Sequence, residues 1–276
     1  RLLHSNSSTR TEHTMADTTP TLPADAKQIR SGVLAGWIPG EFGAAGMRFP
    51  TYRRGSGPAV LVIHEIPGIT PKVAQFANDV VERGFTVVMP SLVGTPEKAP
   101  SQLYLAQSMI KICIAKEFTT MALNKTSPVI AWLRALARNV HNEVGGSGVG
   151  AVGMCFSGGF ALGMMVDDIM LAPVLAQPSM PFVVGKKKRG ANLNLSTDDE
   201  AAVVQRAQDG CQVLGLRFTG DKLVGDRFAT LREKLGDAFV AIELPSTANH
   251  DHSTLTEQRD EASVQRVLDF FVEKLL

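Results

Sequence analysis

Val149-Gly-Ala-Val-Gly-Met-Cys-Phe-Ser-Gly-Gly159 is the stretch on which the reading of the chain turns. Its first six residues are small or apolar without a break, as expected of a strand covered on both faces. From Phe160 the pattern is helical. A reactive side chain between a strand and a helix, flanked by very small residues, is the signature of a nucleophile elbow, a turn too crowded for bulk two positions to either side. Apolar residues stop at Met154, so Cys155 falls at the strand end, with Gly153 two before it and Ser157 two after. There the positive end of the helix dipole favours a thiolate. A second frame takes Ser157 as the nucleophile, with Gly159 two after it, but requires the strand to run on through Cys155 and Phe156. The strand end favours Cys155, and Ser157 remains the alternative. A buried, inert cysteine is the plain structural reading.

Working outward, strands are expected at Met47–Arg54, Ala59–His64, Phe85–Met89, Met170–Leu175, Gln212–Phe218 and Phe239–Leu244. Thr70-Pro71 and Ser127-Pro128 each pair a capping side chain with proline at the first helical position. Val73, Phe76, Ala77, Val80 and Val81 then form one apolar face, and Ile130, Leu133, Leu136 and Val140 another. Gly84 closes the first of these helices. Val264, Val267, Leu268, Phe271 and Leu275 mark a last one. Strands alternating with helices predict a mostly parallel sheet covered on both faces.

At 276 residues, 44% hydrophobic and 20% charged, the chain can bury a sizeable core. A net charge of +1 gives no electrostatic case for nucleic acid or an anionic membrane. The most apolar long segment, Leu103 to Leu123, is broken by Lys111, Lys116 and Glu117 and reads as an amphipathic helix within an insertion over about 96–126. Cys113, Cys155 and Cys211 lack metal-ligand spacing, and no secretory leader opens the sequence. Together these point to free thiols in the cytoplasm. Residues 1–30 are rich in Ser, Thr and Pro and are expected to be flexible, with Met15 a candidate start; 31–276 are expected to form one domain. Lys186-Lys-Lys-Arg189 reads as a solvated loop.

On folds built around such an elbow, an acid follows a late strand and a histidine follows the last one. Asp221, in the turn Gly220-Asp221-Lys222-Leu223, fits the acid better than Asp226, which resembles a helix-starting residue. His252 is preferred to His250 in Asn249-His250-Asp251-His252-Ser253. The His-Asp-His pattern also suits metal ligands, but no further ligand cluster accompanies it, so no metal is expected. An imidazole titrates near neutrality and can move the thiol proton, and an aspartate would fix its tautomer. His64-Glu65-Ile66-Pro67-Gly68 follows a buried strand at the sheet edge where such sites gather. The backbone N–H groups of Ile66 and Phe156 are the expected oxyanion donors. Glu65 beside them suggests either a proton-holding partner of the thiol or a buried ion pair.

Glu65-Ile66-Pro67-Gly68, Pro90-Ser91-Leu92, Gly153-Met154-Cys155 with Gly158-Gly159, Gly220-Asp221 and His252-Ser253 together resemble the dienelactone hydrolase family, from about Ala59 to the C-terminus. The resemblance implies an α/β-hydrolase fold and cofactor-free cleavage of a carboxylic ester or lactone. It carries the family's cysteine, aspartate and histidine onto Cys155, Asp221 and His252. It also gives Glu65 the role of engaging the resting thiol. Two departures stand out. Ser157 replaces an elbow glycine, and the arginines that hold the substrate carboxylate in dienelactone-specific members fall at Val93-Gly94-Thr95 and at Thr256. A noncatalytic or redox-sensing protein with a reversible thiol at Cys155 is the reading from a different class.

Overall fold

The computed structural model describes residues 27–114, 118, 125–179 and 190–276. The expectations for residues 1–26 and for Lys186–Arg189 therefore lie outside the described residues. So does the part of Leu103–Leu123 beyond 114, residue 118 excepted.

Eight strands form one sheet in the order β1-β2-β4-β3-β5-β6-β7-β8. These are β1 (Ile38–Ala44), β2 (Met47–Arg54), β3 (Ala59–Ile63), β4 (Thr86–Pro90), β5 (Val149–Met154), β6 (Met170–Ala176), β7 (Val213–Phe218) and β8 (Phe239–Leu244). β1 pairs with β2, and β2 with β4, in antiparallel register; all other neighbours are parallel. The helices are α1 (Pro71–Glu82), α2 (Gln102–Ile114), α3 (Pro128–Val144), α4 (Gly158–Met164), α5 (Thr197–Gln208), α6 (Arg227–Leu235) and α7 (Glu261–Leu275).

The two faces of the sheet are packed independently, and strand alternation assigns residues to each. In β3, Ala59, Leu61 and Ile63 face a core built with Trp132 and Leu133 of α3, Phe160 and Leu162 of α4 and Phe228 of α6. Val60 and Val62 face the other, built with Val73 and Phe76 of α1 and Val264, Phe270 and Phe271 of α7. All five β3 side chains are buried, which is why the run is continuously apolar rather than alternating. Each of the four larger ones, Val60, Leu61, Val62 and Ile63, contributes about 1.5–3 kcal/mol by leaving water.

The helix starts follow their capping chemistry. Thr70 accepts a hydrogen bond from the Val73 N–H ahead of Pro71, and Ser127 precedes Pro128 at the start of α3. β1 and α5 extend the expected set of elements. β1 alternates in burial but carries proline and two glycines, while α5 buries only Val203 and Ala207.

Candidate active site

The carboxyl ends of β3, β5, β6, β7 and β8 converge on one edge, and every candidate side chain reaches that edge from the segment after its strand. β5 ends at Met154, and the chain turns at Cys155 with φ of +56°. That is the left-handed region, costly for a residue with a Cβ and tolerated where surrounding structure enforces it. One 3-10 turn, Cys155–Ser157, then runs directly into α4.

The crowding that the sequence implies is measurable. A Cβ on Gly153 would lie 2.1 Å from the Ser157 carbonyl oxygen, and one on Gly158 would lie 2.6 Å from Pro178 Cα. Ser157 does more than tolerate a glycine's place. Its hydroxyl accepts from the Met154 N–H at 2.9 Å, and carbonyl oxygens of Ile63, His64 and Met154 lie 2.9–3.1 Å from it. The side chain is fully buried and ties the end of β5 to that of β3.

Asp221 and His252 come together here although 31 residues separate them. His252 Nδ1 lies 2.6 Å from Asp221 Oδ2, and Asp221 Oδ1 accepts from the Leu223 N–H at 2.9 Å. Asp226 is exposed and stands at the start of α6, while His250 is exposed. Asp251 is held by its own loop, accepting from the N–H groups of Thr247 and Ala248. The His-Asp-His run is therefore divided: one histidine faces Asp221, the aspartate shapes the loop, and the other histidine faces outward.

His252 lies beside Cys155. Burial opposes its charge, but the Cys155 thiolate and the Asp221 carboxylate outweigh that and raise the imidazole to about 11. Its Nε2 is buried, and apart from the Cys155 sulfur, whose hydrogen bond also raises the imidazole, it has no partner among the described residues. The sulfur also lies 3.1 Å from Ser179 Oγ. Because the raised value requires the thiolate, exchanging Cys155 for serine is expected to move the His252 titration toward acid. Ring-proton NMR of the two proteins across neutral and alkaline pH measures this; coincident curves would show that the thiol does not act on the ring.

Glu65 is buried, and burial raises its carboxyl while the Thr256 and Ser253 hydroxyls partly counter this. Ser253 Oγ donates to its Oε2 at 2.7 Å, Thr256 Oγ1 donates to its Oε1, and the Gln177 amide reaches Oε2 at 3.4 Å. No lysine or arginine pairs with it among the described residues. Its oxygens thus engage hydroxyls and an amide, while Ser179 holds the thiol. Sequence reasoning did not find Ser179 and Gln177. Both follow β6 in a segment without a motif, and the parallel pairing of β5 with β6 is what sets Ser179 against Cys155 and Gln177 against Glu65.

His64 is no rival base. Burial lowers it to about 4, its Nε2 accepts the Leu92 N–H at 3.0 Å, and its Nδ1–H therefore donates to the Glu65 carbonyl at 2.8 Å. It braces the Ile66 loop against the segment after β4. The N–H groups of Ile66 and Phe156 are claimed by no acceptor among the described residues.

A mostly parallel sheet with helices on both faces and an elbow after a central strand defines the α/β-hydrolase fold. The family model described as "Dienelactone hydrolase family" matches residues 47–275. The chain belongs to the dienelactone hydrolase family, and with that membership it is an enzyme, a carboxylic ester hydrolase. No curated protein matches it.

Solved structures share the fold at low identity. One is a protein from Klebsiella pneumoniae subsp. pneumoniae MGH 78578 assigned as a dienelactone hydrolase. It is 22% identical, with 86% of this chain and 99% of that chain covered and a TM-score of 0.59. A cold-adapted esterase from an Arctic intertidal metagenomic library is 17% identical, with coverage of 87% and 94% and a TM-score of 0.57. Est1E from Butyrivibrio proteoclasticus is 13% identical, with coverage of 87% and 98% and a TM-score of 0.55. Among the described residues, no helix is long and apolar enough to cross a membrane.

Proposed function

We propose that the protein cleaves a carboxylic ester or lactone through a thioester on Cys155, with His252 moving protons and Asp221 orienting it. One observation carries this reading. Cys155 is held at φ of +56° beside an imidazole whose Nδ1 lies 2.6 Å from Asp221 and whose Nε2 has no other partner among the described residues.

The Cys155 thiolate attacks the acyl carbon, and the oxyanion forms against the N–H groups of Phe156 and Ile66. Collapse breaks the acyl–oxygen bond, and His252 Nε2–H gives its proton to the leaving alkoxide. Water then attacks the thioester and passes a proton to Nε2. The second tetrahedral species expels the thiolate and releases the carboxylic acid. No cofactor enters these steps. Ser157 is a poor nucleophile here, because its buried hydroxyl is already committed to backbone groups of Ile63, His64 and Met154. Where dienelactone-specific relatives hold a substrate carboxylate with arginine, Thr256 bonds Glu65 instead. The reading is therefore of an ester or lactone hydrolase with a different acyl preference. Residues 31–276 act as one domain in the cytoplasm, where a thiol nucleophile stays reduced.

Acid quenching during p-nitrophenyl acetate turnover, followed by peptide mapping, tests the nucleophile. The acetyl group is expected on Cys155. Acetyl on Ser157, or turnover without a covalent intermediate under any quench condition, would overturn the assignment.

A further inference from the structure

The segment Gln177-Pro178-Ser179, directly after β6, is gripped from several sides. Gln177 Oε1 accepts from both the N–H and the hydroxyl of Thr254, at 3.2 and 2.7 Å. That fixes the orientation of its amide and turns the NH₂ toward Glu65. Pro178 packs on Gly158, where a side chain would strike its Cα at 2.6 Å. Ser179 then contacts Cys155 twice. Its N–H donates to the Cys155 carbonyl at 3.0 Å, and its hydroxyl lies 3.1 Å from the sulfur. Ser179 is 5% exposed, so little water competes for that hydroxyl.

We propose that Ser179 is a positioning residue for the nucleophile, its hydroxyl donating to the Cys155 thiolate and fixing the direction in which the sulfur leaves the elbow. The inference rests on Cys155 being the nucleophile. Its chemical sense lies in aim and charge: a buried hydroxyl 3.1 Å from the sulfur fixes where the nucleophile points and gives a thiolate a donor that stabilises its charge.

The test compares the wild-type protein with Ser179→Ala and Ser179→Thr. For each, the rate of Cys155 alkylation by iodoacetamide is followed across pH by peptide mapping, beside kcat and KM for p-nitrophenyl acetate. Loss of a hydrogen bond to a charged sulfur is expected to slow alkylation about tenfold. Ser179→Ala should lower kcat with little change in KM, and Ser179→Thr, which keeps the hydroxyl, should recover most of both.

An unchanged alkylation curve in Ser179→Ala overturns the proposal. So does equal damage in both variants, which would mean that shape rather than the hydroxyl matters. If Ser179→Ala does not fold, Ser179→Gly carries the test, and an unchanged alkylation rate in it overturns the proposal too. Absence of ester turnover in the wild type would count against the hydrolase reading and leave the alkylation curves to judge Ser179 alone.

Discussion

Cys155→Ala is expected to lower ester turnover by a hundredfold or more, measured as initial rates beside the wild-type protein. The size follows from the lack of a substitute. Ser157 Oγ, the nearest hydroxyl in the elbow, is buried and committed to backbone groups. Ser179 is itself almost fully buried, with no histidine hydrogen-bonded to it among the described residues. What survives is the pair of backbone donors and a free imidazole, enough to speed hydrolysis of an activated ester but not to form an acyl-enzyme. The drop should therefore be larger for an alkyl ester or a lactone, whose leaving group needs a proton, than for p-nitrophenyl acetate. The variant should fold, because alanine keeps the Cβ that the turn already accommodates at positive φ. Activity close to wild type on both substrate types would remove Cys155 from the chemistry.

The fold was legible in the sequence where one physical constraint dominated. The continuous apolar runs Ala59–Ile63 and Val149–Met154 can only be strands covered on both faces, and Thr70-Pro71 and Ser127-Pro128 can hardly be anything but helix starts. β1 escaped because, although its burial alternates, a proline and two glycines among seven residues read as turn rather than strand. α5 escaped because it is a polar helix that packs through two small contacts, so its apolar face is too narrow to register.

The site divides along the same line. Cys155, Asp221 and His252 follow strand ends in an order that the sequence displays, and the parallel sheet brings those ends together. Their neighbours could not be read. Ser179 reaches Cys155, Gln177 reaches Glu65 and Thr256 reaches Glu65 across 24, 112 and 191 residues. None of them belongs to a spacing pattern, because what fixes each is strand register and loop path. Ser157 was visible but misvalued. By sequence it is an intrusion at a glycine position, whereas in the fold its hydroxyl supplies the bonds that hold the turn.

Asp221→Asn should separate the two halves of the reaction. The aspartate does not touch the substrate; it accepts the Nδ1 proton at 2.6 Å and so keeps the Nε2 lone pair available when the imidazole is neutral. An asparagine can present its NH₂ to Nδ1 instead, which forces the proton onto Nε2. It also removes one of the two negative charges that raise His252. Attack by a thiolate depends little on a base, since the sulfur is nucleophilic once ionised. Attack by water on the thioester depends on one heavily, because water must lose a proton to Nε2 as it adds. Steady-state turnover is therefore expected to fall by about 10²–10⁴-fold, the usual worth of a positioned general base. A rapid burst of p-nitrophenolate, stoichiometric with Cys155, should persist. Stopped-flow absorbance followed by mapping of the trapped thioester distinguishes this outcome from simple loss of the site. A variant that loses burst and turnover together would place Asp221 in acylation as well, and one that loses neither would leave the His252–Asp221 contact a structural feature of the loop.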